Sequence, residues 1–279
     1  MSLEQQLLHF CEHRCARGER PVLGLNAPVG AGKTTFARRL QALAREQGLR
    51  LAVASIDDAY LPWQQRLAAL AGNPFGVTRV PPGSHDPAAL ERPIRAWRQA
   101  AAPELQLPRF DKTLRQGQGD PGPGWSGAAD ALLLEGWLLG CRPLLREELR
   151  AGFSALQPST NDPQLDQPWI ARCNEALQAY QPLWTLVDRW VMFWPASWQS
   201  PLRWRLQAEA QQRRRGAGWL SPAALRSMVN GTLGSLPPML YQWPLLERMD
   251  DVRILNGRRQ VIWEGSGEAA RHHLASAQS

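Results

Sequence analysis

Residues 24–40 of the chain read GLNAPVGAGKTTFARRL. An apolar run, PVLGLNA (21–27), leads into Pro28-Val29-Gly30-Ala31-Gly32, and a helical pattern begins near Lys33 and is closed by Gly48. Strand, glycine-bearing turn and helix N-terminus, in that order, predict a loop whose backbone N–H groups converge on a phosphate. Lys33 is placed to bridge the terminal phosphates of a nucleotide, and the Thr34 hydroxyl to hold Mg²⁺, with Thr35 as a helper. The general pattern G-x-x-x-x-G-K-[ST] has glycine where this chain has Ala27. Only a positive φ demands glycine, so Ala27 is tolerated if it keeps β-region angles.

Outward from this stretch, a second apolar run, LRLAVASI (49–56), completes a strand–helix–strand unit and implies a parallel sheet. Similar runs at 131–137, 189–194 and 251–256 are bounded by polar turns, as strands buried on both faces are. The expectation is an α/β fold with a mainly parallel five-stranded sheet flanked by helices. It forms a single domain over 1–279, with a core at 20–195 and 250–262 and a helical lid at 197–245. The N-terminal stretch MSLEQQLLHFCEHRCARGER (1–20) reads as an amphipathic helix. Residues 72–130, rich in Gly and Pro with one helical piece near 87–102, read as a long functional connection. Ser200-Pro201 and Ser221-Pro222 each signal a helix start. RRRGAGW (213–219) between those helices reads as a turn, and the C-terminal stretch 267–279 as frayed.

The second strand ends in SIDDAYLP (55–62). A carboxylate at a strand's C-terminal edge beside a phosphate loop is where a base must stand to take a proton from an attacking hydroxyl. Asp57 is the candidate base, Asp58 its support, and Tyr60 lies next to them; the alternative is an Asx turn. The third strand ends in LLLEGW (132–137), placing Glu135 near Mg²⁺ or its water shell. Asp57 and Thr34 complete the candidate metal set.

RVPPGSHDPAAL (79–90) offers Ser84, His85 and Asp86, of which Ser84 or Asp86 could instead cap the following helix. LPRFDKTLRQGQGD (107–120) offers Arg109, Asp111, Lys112 and Arg115, whose three cations suit an anionic substrate; the alternative is a solvated loop. SPLRWRLQAEAQQRRRGAG (200–218) is an arginine-rich helix, in which Arg203 and Arg205 are placed to stabilise charge on a transferring phosphoryl group. As i,i+4 partners of Gln207 and Glu209, the same two could be surface decoration.

Composition narrows the classes. No run approaches the roughly 18 apolar residues of a membrane span. The net charge is +7, but 30 of the 32 basic residues are arginines scattered along the chain, which speaks against a nucleic-acid stripe. The two lysines, Lys33 and Lys112, both fall inside motifs. Cys11, Cys15, Cys141 and Cys173 show no metal-ligand spacing and suit free thiols in a cytoplasmic protein.

Taken in order, APVGAGKTT, SIDDAYLP, GSHD, LPRFDK, LLLEGWLLG, NEALQAY (174–180) and RWRLQAE resemble the plant and cyanobacterial D-glycerate 3-kinase family. That family is a branch of the P-loop kinases related to phosphoribulokinase, uridine kinase and pantothenate kinase. The resemblance spans about 20–256 and implies a P-loop NTPase fold, ATP and Mg²⁺. It implies transfer of the γ-phosphoryl group to the 3-hydroxyl of D-glycerate. Carried over by motif, Lys33 and Thr34 bind nucleotide and metal, Asp57 is the base and Glu135 the strand-end acid. His85, Asp86, Arg109, Lys112 and Arg203 then face the acceptor. An alanine at the first loop position is the family's own, which accounts for Ala27. Ala59 and Asn230 depart from the family pattern, which leaves open another acceptor, namely a nucleoside, pantothenate or a sugar acid. A P-loop switch protein without kinase activity is the alternative of a different class.

Overall fold

The structure, a computed structural model, describes residues 1–156, 166–214 and 220–276. Its strands are β1 (Val22–Asn26), β2 (Leu51–Ser55), β3 (Glu104–Asp111), β4 (Asp120–Ala128), β5 (Ala131–Gly136), β6 (Arg189–Pro195), β7 (Asp251–Leu255) and β8 (Val261–Gly265). The helices, in chain order, are α1 (Leu3–Ala16), α2 (Lys33–Glu46), α3 (Trp63–Ala69), α4 (Ala88–Gln99), α5 (Arg146–Ala155) and α6 (Gln167–Ala176). They continue with α7 (Gln181–Trp184), α8 (Ser200–Arg214), α9 (Pro222–Ser235), α10 (Pro238–Tyr241) and α11 (Gly267–Ser276).

All five expected strands lie in one sheet of order β2-β5-β1-β6-β7-β8, and β8 adds an antiparallel sixth at the edge. The other neighbouring pairs are parallel. Alternation of side chains along the buried strands divides the core in two. Leu132 and Leu134 face the layer built by α4 and α6, while Leu133 faces the layer built by α1 and α2. Burial on both faces explains why these strands read as continuous apolar runs.

Helix α1 forms as expected, with Ser2 and Gln5 closing a capping box and Leu3, Leu7, Leu8 and Cys11 buried. Ser221 caps α9 by accepting from the Ala224 N–H. The turn expected at 213–219 falls largely outside the described residues.

Two expectations are corrected. Residues 267–276 are not frayed but form α11, which is held because Gly267 N–H donates to the Met249 carbonyl and Ala270 is fully buried. The stretch 72–130 is not mostly loop, since β3 and β4 pair as a separate antiparallel hairpin. Reading β4 as loop followed from its sequence, DPGPGWSGA, whose prolines are compatible only with an edge strand.

Candidate active site

β1 lies mid-sheet between β5 and β6, so the chain leaves the sheet in opposite directions beside its C-terminal end. Open α/β sheets bind ligands at such a switch point. The loop that follows has Gly30 at φ 79 and Gly32 at φ 96, whereas Ala27 keeps a negative φ. The two glycines therefore sit where left-handed backbone is required, and Ala27 sits where it is not. A Cβ at Gly30 would stand 2.8 Å from the Trp204 Cβ, because α8 packs directly on the loop. Trp204 is fully buried and its indole N–H donates to the Gly257 carbonyl. Arg259, at φ 65 in the β7–β8 turn, ties the same pieces together by donating to the carbonyls of Gly30 and Trp204.

Lys33 opens α2 and donates to the Ala27 carbonyl at 3.1 Å, while its ammonium lies 3.8 Å from the Glu135 carboxylate. Burial pushes the Glu135 carboxyl up, and Lys33 opposes the rise. Glu135 Oε2 is buried without a hydrogen-bond partner. Such an oxygen suits a cation or its water shell, and Thr34 and Asp57 line the same cavity. Among the described residues no three His, Cys, Asp or Glu side chains cluster as a metal cage.

Ser55 ends β2 by accepting from Asp57 N–H, and Asp58 Oδ2 accepts from Ser55 N–H. This turn sends the two adjacent carboxylates apart. Asp58 folds back onto the backbone and meets Arg109 at 2.8 Å. Asp57 faces a cavity of about 660 Å³ that also takes in Gly30, Lys33, Thr34, Tyr60 and Lys112. Lys112, from the turn joining β3 to β4, meets Asp57 Oδ2 at 3.0 Å. Burial alone would raise the Asp57 carboxyl, but Lys112 and His85 outweigh it and hold it well below the usual carboxylate range. Asp57 in turn raises Lys112.

His85 lies behind Asp57, its side chain fully buried and Nε2 3.9 Å from Asp57 Oδ1. Its ring stacks on Tyr60 with centroids 4.3 Å apart, and burial lowers its pKa.

The structure thus brings together Gly30, Gly32, Lys33, Thr34, Thr35, Val29, Asp57, Asp58, Tyr60, Lys112, Glu135 and Arg205 around one cavity. Pro28 and Ala31 belong to the loop beneath it, linked by the Ala31 N–H to Pro28 carbonyl bond. It does not bring in four others. His85, expected to face the acceptor, is fully buried behind Asp57 and does not line the cavity. Asp86 caps α4 by accepting from Ala88 N–H, as the capping alternative expected. Arg109 turns away to bind Asp58 and the Val53 carbonyl, and faces a separate cavity with Arg45, Arg50 and Trp125. Arg203 lies against Gly257, so Arg205, paired with Glu209 at 3.0 Å, is the arginine of α8 that reaches the cavity.

Arg79, Arg38 and Arg259 line it too and were missed in sequence. Arg79 had a signal, as it opens the motif that contains His85. Arg259 had only a turn-like NGRRQ context.

A mononucleotide loop, a strand-end acid beside its lysine and a paired carboxylate across the cavity are the machinery of a P-loop kinase. Comparison with known proteins narrows the class. The chain is 30% identical over 234 residues to the chloroplastic D-glycerate 3-kinase of Arabidopsis thaliana, a match that covers 79% of this chain and 48% of that protein. The chain thus spans about half the length of that relative. It is 26% identical over 235 residues to an uncharacterized kinase of Schizosaccharomyces pombe, covering 81% of this chain and 83% of the relative. The solved D-glycerate 3-kinase of Cryptococcus neoformans superposes with a TM-score of 0.78 at 24% identity, over 95% of this chain and 99% of that one. No family model matches the chain. The chain is thus similar in sequence to a plant D-glycerate 3-kinase and shares the fold of a fungal one.

Proposed function

We propose that the chain transfers the γ-phosphoryl group of ATP to the hydroxyl of a small hydroxy acid, D-glycerate being the acceptor that its relatives' names point to. The observation that carries the reading is the Asp57–Lys112 pair facing Lys33 across one cavity. A carboxylate there receives the proton of the acceptor hydroxyl as its oxygen bonds to the γ-phosphorus and the bond to the β-phosphate oxygen breaks, releasing ADP. Lys112 and Arg79 supply positive charge for the acceptor's carboxylate. Lys33 and Arg205 stabilise charge on the transferring group. Mg²⁺ held near Thr34 and Glu135 would neutralise the β- and γ-phosphate oxygens.

In this reading the segment 197–245, which carries α8 and α9, acts as a lid over a core at 20–195 and 250–262. The free thiols support a reducing, cytoplasmic setting, and no helix of the described residues is long and apolar enough to cross a membrane.

The test is ADP release over a panel of D-glycerate, L-glycerate, uridine, pantothenate and ribulose 5-phosphate, with the Asp57→Asn variant alongside. D-Glycerate-dependent release that Asp57→Asn abolishes while ATP still binds is the expected outcome. Activity with a nucleoside and none with D-glycerate would overturn the acceptor assignment.

A further inference from the structure

Tyr180 sits on the short turn Leu177–Tyr180 after α6, far along the chain from Asp57, and is 1% exposed. Its hydroxyl oxygen lies 2.8 Å from His85 Nδ1 and accepts from the Gly83 N–H at 3.2 Å. Ser84, the other hydroxyl beside the ring, donates its proton to the Pro81 carbonyl at 2.6 Å and stands 3.4 Å from Nδ1.

A tyrosine hydroxyl has one proton to give, and His85 Nδ1 is the acceptor within reach of it. If Tyr180 donates, Nδ1 is the accepting nitrogen and the neutral ring carries its proton on Nε2. That proton points to Asp57 Oδ1, 3.9 Å from Nε2. The opposite tautomer has two defects. It strands the buried Tyr180 proton beside the Trp184 ring, which stacks on it at 5.7 Å. It also aims the Nε2 lone pair at a carboxylate. The Tyr60 ring, stacked on the imidazole with planes 18° apart, keeps the ring from turning out of this alignment.

We propose that Tyr180 is a positioning residue: by donating to His85 Nδ1 it fixes the tautomer that presents Nε2–H to Asp57 Oδ1, while Lys112 holds Oδ2. Lys112 then holds one carboxylate oxygen, and the otherwise unpartnered Nε2–H faces the other across 3.9 Å, which together bias the carboxylate's plane toward the acceptor hydroxyl. This deepens the reading of Asp57 as the base and rests on it. Neither Tyr180 nor its hydroxyl touches the cavity.

The tautomer can be read without turnover. Long-range ¹H–¹⁵N NMR of the ¹⁵N-labelled full chain, with the His85 signals assigned by their loss in His85→Gln, reports which ring nitrogen bears the proton. Nε2–H in the wild type, and loss of that preference in Tyr180→Phe, is the result expected. Nδ1–H in the wild type overturns the proposal, whether or not the phenylalanine variant folds.

Kinetics supply the second arm. Tyr180→Phe lowers kcat on the order of tenfold, the scale of a displaced catalytic group, with KM for ATP unchanged. In the His85→Gln background, where the amide can offer an N–H near the Nε2 position, the same substitution has little further effect. Equal losses in both backgrounds would show that Tyr180 acts on packing and overturn its role through His85. If the panel above shows no kinase activity, the NMR result still stands on its own, so the two readings fail separately.

Discussion

Lys112 Nζ and Asp57 Oδ2 lie 3.0 Å apart, which joins the turn between β3 and β4 to the end of β2. The hairpin therefore supplies half of the ion pair at the centre of the cavity. Lys112→Ala is expected to raise the acceptor KM by about tenfold or more, because a charge-assisted contact to a carboxylate is lost. The KM for ATP should hardly move. Equal changes in both constants, measured by steady-state kinetics, would place Lys112 elsewhere in the mechanism.

Arg66 is a fully buried cation, and among the described residues its hydrogen bonds go to carbonyls and not to a carboxylate. It donates to the carbonyls of Leu61, Thr78, Gln118 and Gly119, and its guanidinium lies 4.9 Å from the Phe110 ring centroid. One side chain thus pins the segments that carry Tyr60, Arg79 and Lys112. Arg66→Met should cost about 2–4 kcal/mol of stability in urea titration, by leaving buried carbonyls without donors. The acceptor KM should rise with it. A loss under about 0.5 kcal/mol, the range of ordinary surface changes, would refute the tether.

Gly30→Ala and Ala27→Gly form a matched pair. The first puts a methyl group against Trp204 at a left-handed position, and should weaken nucleotide binding and lower Tm. The second should leave nucleotide affinity within about twofold, since ordinary backbone angles make no demand for glycine. Calorimetric titration with ATP measures both.

On α8, Arg205→Met should lower kcat by about 10- to 100-fold, the scale of losing a preorganised charge on the transferring group. Arg203→Met should leave kcat within about threefold, because Arg203 lies beside Gly257 and outside the cavity. The reverse order of effects would show that α8 turns as the site closes.

His85 gives a pH signature. Burial lowers its pKa in the folded chain, so below about 6.5 the unfolded chain takes up a proton that the folded chain refuses. Its contribution is fully present above that pH and is lost as pH falls toward the folded value. Urea titrations from pH 7.5 to 5.5 should show a shallower loss of stability in His85→Gln than in the wild type; parallel curves would argue against a neutral buried imidazole.

The nucleotide half of the site was legible because its signals are local. A buried strand, two glycines and a lysine opening a helix are neighbours in sequence, and so are the carboxylates that end β2 and β5. The acceptor half depends on contacts across the chain. Arg109 looked like a substrate ligand until its partner, Asp58, was known to fold backward. Arg66 sits in WQQRLAA, which nothing local separates from a solvated helix, and its four carbonyl partners come from three other segments. Tyr180 belonged to a recognised motif, but its bond to His85 spans 95 positions. In β4 the glycines and prolines hid the strand, whose register is set by β3 and not by its own residues.

The chain has two lysines, and both line one cavity. Apart from the N-terminal amine, every amino group in the protein is therefore in the candidate active site. Reductive methylation with ¹³C-formaldehyde would give, beside the N-terminal amine, one lysine signal from Lys33 at the start of α2 and one from Lys112 on the hairpin. The two opposite walls of the cavity can therefore be labelled without a single substitution.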